Sequence, residues 1–221
     1  FEVENYPYYD AASRGVNFAA MKAFLGGLAA GSIIILHACC HNPTGADLSD
    51  SQWAEVVAVC QARGLVPFLD MAYQGFADGI DADAVAVRAF AASGLQFFIS
   101  SSFSKSFSLY GERVGALTVV TASKEEASRV MSQVKRVIRT NYSNPPTHGG
   151  AVVAAVLNSA ELRQQWEDEL AGMRVRIREM RTSLVEKLAA RGVAIDFSFV
   201  TKQRGMFSYT GLSAAQVERL K

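Results

Sequence analysis

Leu95-Gln96-Phe97-Phe98-Ile99-Ser100-Ser101-Ser102-Phe103-Ser104-Lys105 passes from an apolar run into a string of small hydroxyls and ends on a lysine. A short apolar run without polar alternation reads as a strand buried on both faces, the kind that builds parallel sheets. Lys105 then emerges at a strand end, the edge at which open α/β sheets place their ligands. Eight residues further on, Tyr110-Gly111-Glu112-Arg113-Val114-Gly115 supplies a guanidinium. Guanidinium pairs with phosphate oxygens in bidentate fashion, and short hydroxyl side chains complete such a shell. An amine able to form a Schiff base beside a phosphate site suggests pyridoxal phosphate. The competing reading leaves Lys105 solvated on a Ser-rich loop and Arg113 paired with Glu112, so the rest of the chain has to decide.

Outward from this stretch, the first two-thirds alternate strand and helix patterns. Val16 to Leu28 is compatible with a helix, and Ser32-Ile33-Ile34-Ile35-Leu36-His37 is a continuous apolar strand. Ser49 to Arg63 begins with a Ser cap, runs amphipathically through Trp53, Val56, Val57 and Cys60, and is closed by Gly64. Leu65 to Asp70 is the next strand and Ala82 to Ser93 the next helix, with a further strand at Ala116 to Val120. Apolar strands separated by helices predict an α/β fold: a mainly parallel sheet covered by helices on both sides. From Glu161 to Arg191, apolar residues recur in steps of three and four, through Leu162, Trp166, Leu170, Met173, Ile177, Met180, Leu184 and Leu188. That period predicts one long amphipathic helix, suited to bridging two domains. Beyond Gly192, residues 194–200 and 205–209 read as a pair of strands in a small α+β unit. The expected division is 1–160 for the large domain, and 161–221 for the bridging helix and part of the small one.

The composition narrows the function. The chain has 221 residues, half of them hydrophobic, with 22 Lys+Arg against 21 Asp+Glu. A net charge of +1 offers no basic face for nucleic acid and no polybasic patch for a membrane. A small molecule is the expected ligand, and the apolar runs are too short for a membrane span. The opening residues lack a signal-peptide pattern, and three cysteines, two of them adjacent, make a disulfide framework a poor fit. A cytoplasmic protein is expected. His37-Ala38-Cys39-Cys40-His41 has the look of a metal box, but alternate residues of a strand face opposite sides and no second ligand cluster completes a tetrahedron. No metal is expected.

Three strand ends then converge. His41-Asn42-Pro43-Thr44-Gly45 holds an amide at the sheet edge, Asp70-Met71-Ala72-Tyr73 brings a carboxylate and a phenol, and the third strand brings Lys105. Pyridoxal chemistry needs this set, because a carboxylate at the pyridine nitrogen keeps it protonated and the electron sink deep. Asp70 is the candidate. Asn42 and Tyr73 carry donors for the phenolic oxygen, and Lys105 carries the aldehyde and then moves a proton at the substrate Cα.

His41 to Gly45, Asp70 to Phe76, Ser102 to Lys105 and Gly111 to Gly115 resemble, in order and spacing, the class I aminotransferases of the aspartate aminotransferase family. Ser106 to Arg113 and Gln203 to Leu212 are most similar in wording to the bacterial aromatic-amino-acid branch. The resemblance implies the large domain of a type I pyridoxal-phosphate-dependent transferase, in part. It makes Lys105 the Schiff-base lysine, Asp70 the pyridine partner, Asn42 and Tyr73 the ligands of the phenolic oxygen, and Ser102, Ser104 and Arg113 phosphate contacts. It implies a homodimer in which Arg139 reaches the neighbouring subunit's site to bind an acidic substrate's distal carboxylate, and it makes His37 similar to a supporting histidine. The activity implied is transamination between an aromatic amino acid and 2-oxoglutarate. Aspartate aminotransferase, or a non-catalytic aminotransferase-like sensing domain, are the alternatives. The resemblance also makes the chain an internal piece of a longer protein. The family's upstream phosphate-binding turn, tryptophan and partner tyrosine, and the downstream arginine for the substrate α-carboxylate, fall outside it, so the segment alone is expected to be inactive.

Overall fold

The computed structural model describes residues 2–221; Phe1, which opens the first predicted domain, lies outside the described residues. The chain begins with a short antiparallel hairpin, β1 (Tyr9–Asp10) and β2 (Gly15–Val16), followed by α1 (Phe18–Gly27). Val16 pairs with Tyr9, which is why the first helix starts two residues later than its periodicity predicts. Then come β3 (Ile33–His37), α2 (Asp50–Arg63), β4 (Val66–Met71), a 3₁₀ turn (Ala82–Ala84) continuing into α3 (Val85–Ala92), β5 (Phe97–Ser102) and β6 (Gly115–Val120). The sheet order is β3-β4-β5-β6, with the first two pairings parallel and the last antiparallel.

Local chemistry accounts for these elements. Ser49 and Gln52 form a reciprocal capping box at the start of α2, and Gly64 ends that helix at φ 62°, a conformation that glycine adopts without Cβ strain. One face of the sheet carries Ile34, Leu36, Leu69, Met71, Phe97 and Ile99, all buried against Met21 and Leu25 of α1, Trp53, Val56 and Cys60 of α2, and Phe90 of α3. Burying a side chain such as Phe90 contributes about 1.5–3 kcal/mol. The opposite face departs from the expectation of cover on both sides. There, Ile33 is 54% exposed, Ile35 59% and Leu117 55%. Apolar character on both faces of a strand marks what each face could bury; on this outer face Phe68 and Phe98 of the central strands are half-buried, and the positions toward its two edges are open.

The final third contains α4 (Lys124–Asn141), α5 (His148–Asn158), α6 (Ala160–Ala190) and the short α7 (Ala214–Glu218). The predicted long helix is present as α6, capped by Ser159, which accepts from Leu162 N. The strand pair expected over 194–200 and 205–209 does not form; a 3₁₀ turn at Ser198–Lys202 and an irregular segment take its place. The physical reason lies in α6. The guanidinium of Arg181 takes the carbonyls of Gln203, Gly205 and Phe207 that a strand would offer to a ladder. Among the described residues, no helix is long and apolar enough to cross a membrane.

Two tight segments leave the sheet edge. After β3, the chain turns through residues 38–47, where the Asp47 carboxylate accepts from Cys40 N at 2.7 Å and His41 N at 2.8 Å. The His41 ring stacks on Tyr8, with centroids 3.9 Å apart, and its Nδ1 lies 2.8 Å from Thr44 Oγ1. After β4, the buried Asp83 carboxylate accepts from the backbone amides of Gly75, Ala77, Asp78 and Gly79 at 2.8–3.3 Å.

Hydrogen bonds to a charged group contribute about 1.5–3 kcal/mol, and amides left unmet in the interior cost a similar amount. Asp83→Ala should therefore lower the unfolding free energy by about 3 kcal/mol in urea titration; a loss below about 1 kcal/mol would show that solvent replaces the carboxylate. Burial, aided by the nearby His37, pushes the His41 imidazole down from 6.5 to about 4. The unfolded chain therefore binds more protons between these values, so this contribution to stability is complete above about pH 6.5 and is lost as pH falls toward 4. In His41→Asn, the decline of the urea midpoint across that window should flatten relative to the parent; an unchanged slope would assign the decline to other groups.

Candidate functional site

Because β3, β4 and β5 run parallel, His37, Asp70 and Ser102 arrive at one edge of the sheet. The register sets His37 opposite Asp70 and Asp70 opposite Ser100, so the alternation of strand side chains puts His37, Asp70 and Ser102 on a common face. The turn after β3 then presents Asn42, whose peptide bond to Pro43 is cis. Asn42 N donates to His37 Nδ1 at 3.2 Å, which leaves the neutral ring's proton on Nε2. The Asn42 amide donates through Nδ2 to Tyr73 Oη at 3.2 Å. Tyr73 is buried, and Lys105 Nζ stands 4.7 Å from the centroid of its ring. Lys105 forms no ion pair among the described residues, so its amine is not committed to a carboxylate.

The loop that carries Lys105 is held from below. Ser104 is buried and its N–H donates to Ser102 Oγ at 3.2 Å. Phe107 stacks on Trp166 of α6 with centroids 4.5 Å apart, and Trp166 Nε1 donates to Ser106 O at 2.6 Å. Phe103 N donates to Val114 O, which ties the lysine loop to the Arg113 arm. Arg113 is exposed, has φ 53°, and donates from Nη1 to Tyr110 O at 3.2 Å. A non-glycine residue in this region stores on the order of 1–3 kcal/mol of backbone strain, and such strain concentrates at functional sites. A cavity of about 240 Å³ opens beside the lysine loop, with Gln74, Ser102, Phe103, Ser106 and Trp166 among its walls.

Asn42, Tyr73 and Lys105 thus form one contact group, Asp70, Ser102 and Ser104 stand at the same strand edge, and Arg113 joins through the backbone of Val114. Arg139 stands apart at the exposed end of α4, where its guanidinium donates to Ser143 Oγ. The group combines an amine able to attack a carbonyl with two donors for an oxyanion, a carboxylate for a protonated nitrogen, and hydroxyls with a guanidinium for an anion. The residues present therefore fit pyridoxal phosphate in donor type.

Three positioning residues escape the sequence reading. Asp47 satisfies two backbone amides and Asp83 four, and Arg181 reaches four acceptors through a single guanidinium. Only Arg181 left a legible signal, as a charge inside the apolar stripe of α6. Burial pushes Asp47 up, an effect opposed by its bonds from His41 and Cys40, and it pushes Arg181 down. Cys39, Cys40 and Asp83 bring ligand-type atoms within 4.8 Å of one another. Both Asp83 oxygens already accept amides, and the Cys40 thiol donates to Tyr73 O at 3.4 Å.

The model of the family described as aminotransferase class I and II matches residues 1–220. The aspartate aminotransferase of Pseudomonas aeruginosa is 67% identical over 221 residues, which is 100% of this chain and 56% of that protein. The aromatic-amino-acid aminotransferase of Escherichia coli is 54% identical over the same 221 residues, again 56% of its length. Among solved structures, the aromatic-amino-acid aminotransferase of Burkholderia pseudomallei, covalently bound to pyridoxal phosphate, superposes with a TM-score of 0.98 at 68% identity, covering 100% of this chain and 55% of that one. The chain spans little more than half the length of the relatives it matches. With a family model over nearly every residue and a superposition of this closeness, the chain belongs to the aminotransferase class I and II family.

Proposed function

We propose that this chain forms part of a pyridoxal 5′-phosphate-dependent aminotransferase that exchanges an amino group between an aromatic amino acid and 2-oxoglutarate. The observation that carries the reading is the contact of Asn42, Tyr73 and Lys105 at the end of three parallel strands, in a chain of this family. The Burkholderia pseudomallei relative supports the cofactor, and the Escherichia coli relative supports the aromatic preference. The Pseudomonas aeruginosa relative favours a second reading, in which aspartate is the preferred donor.

Pyridoxal phosphate supplies an electron sink for the pair released when a bond at the substrate Cα breaks. In the proposed site, Lys105 would hold the cofactor and, with its amine free, would take the proton from the substrate Cα as general base and deliver it to the cofactor's C4′ carbon as general acid. Asp70 keeps the pyridine nitrogen protonated by charge. Asn42 and Tyr73 donate to the phenolic oxygen and so hold its charge where a proton is exchanged nearby. Ser102, Ser104 and Arg113 bind the phosphate. Residues 1–160 form the cofactor-binding unit and 161–221 the bridging helix with part of a second domain. Arg139, at an exposed helix end, is assigned to the partner's site in a homodimer, where it binds the distal carboxylate of an acidic substrate.

In the full-length protein, Lys105→Ala should abolish the absorbance that belongs to the lysine-linked cofactor and lower turnover by about 10²–10⁴-fold or more, the share of a positioned acid–base group. Retention of both would overturn the assignment. Arg139→Leu should reduce kcat/KM for dicarboxylic substrates by about 10²-fold, equivalent to ~2.7 kcal/mol for a charge-assisted pair, and change that for phenylalanine less than about threefold. Equal losses would remove the selective role of Arg139. Parent kinetics with tyrosine, phenylalanine and aspartate separate the aromatic reading from the aspartate one.

A further inference from the structure

Arg181 is the most buried cation of the long helix, only 5% exposed, and no carboxylate pairs with it among the described residues. Its partners are the acceptors of one irregular segment. Nε donates to Ser208 Oγ at 3.1 Å, Nη1 to Gln203 O, and Nη2 to Gly205 O at 2.7 Å and Phe207 O at 2.6 Å. Desolvating a guanidinium is costly, and carbonyl dipoles repay it only when held in a fixed array. Such an arrangement fixes the backbone of residues 203–208 more tightly than packing alone, since each bond sets a different carbonyl direction.

That segment presses on both donor groups of the site. Arg204 N donates to Gly45 O at 2.8 Å, at the end of the turn that presents Asn42. Gly205 sits at φ 81° against Cys40, so close that a Cβ on it would lie 2.4 Å from the Cys40 Cβ. Phe207 packs edge-on against the Tyr73 ring, with centroids 5.4 Å apart and planes at 84°. Gln203 closes the segment by pairing both ways with the backbone of Tyr209, at 2.8 and 2.9 Å.

We infer that Arg181 is a positioning residue that, through residues 203–208, sets the distance and direction of the Asn42 and Tyr73 donors toward the cofactor's phenolic oxygen. The inference rests on the proposed cofactor site. Donors on that oxygen compete with the proton it shares with the lysine nitrogen, so well-placed donors favour the deprotonated adduct. Loosening them raises the pH at which the visible absorbance of the Lys105 adduct titrates.

The test uses the full-length protein loaded with pyridoxal phosphate. Borohydride reduction and peptide mass first establish whether the cofactor is attached at Lys105; attachment elsewhere, or none, defeats the proposed function itself. With attachment in place, Arg181→Met should keep the Lys105 adduct and move the absorbance midpoint upward by about one pH unit, the effect of weakening one charge-assisted hydrogen bond. Asn42→Ala should move it in the same direction, and Arg181→Lys should restore part of the shift. A purely structural arginine would lower the melting temperature and leave the midpoint where the parent has it, and that result overturns the inference. Should Arg181→Met fail to fold, Phe207→Leu removes the edge-on ring contact with Tyr73 while keeping an apolar side chain at that position. An upward shift in that variant supports the inference and an unmoved midpoint overturns it.

Discussion

Everything at this site depends on the common direction of β3, β4 and β5. Parallel strands deliver their C-terminal ends to one edge, so three loops separated by about thirty residues of sequence each meet there without any long excursion. The helices α2 and α3, which make the parallel crossovers, together with α1 bury Ile34, Leu36, Leu69 and Ile99, which fixes the sheet's register. A slip of one residue in β4 would take Asp70 off the face it shares with His37 and Ser102.

Loops at such an edge have few apolar side chains with which to hold a shape, and this protein holds them with buried charge. Asp47 gathers the amides of the turn after β3, Asp83 those of the segment after β4, and Arg181 the carbonyls of residues 203–207. Each charge is met mainly by backbone dipoles. That choice suits a functional edge: side-chain amines, hydroxyls and carboxylates stay uncommitted, while the backbone beneath them cannot drift. Lys105 and Asn42 profit most. The first rests over the Tyr73 ring, and the second is bonded at its backbone to His37 and at its side chain to Tyr73.

The elements that were legible in the sequence are those whose causes are local. Ser49 and Gln52 cap α2, Gly64 ends it, and the steps of three and four from Leu162 to Leu188 lie on one stripe of α6. The alternation of apolar strands with helices implied the sheet and which residues leave its edge. The misreadings came where distant groups decide. The apolar and aromatic residues of 194–209 suit strands, yet Arg181, some twenty residues earlier, takes the carbonyls of Gln203, Gly205 and Phe207. The exposure of Ile33 and Ile35 depends on what lies over the outer sheet face, which no strand pattern states.

By itself, then, the sequence determined the kind of chemistry on offer and its order along the chain: an amide after the first core strand, a carboxylate and a phenol after the second, an amine and a guanidinium after the third. Those follow from residue identity and short-range periodicity, which act over a few bonds. Only the tertiary structure decided that Asn42 and Tyr73 meet at 3.2 Å, that Lys105 stands over the phenol, and that Asp83 and Arg181 serve as anchors rather than as surface charges. The pairings of Asn42 and Lys105 with Tyr73 join residues roughly thirty positions apart, and their energies exist only once the intervening chain has folded and excluded water.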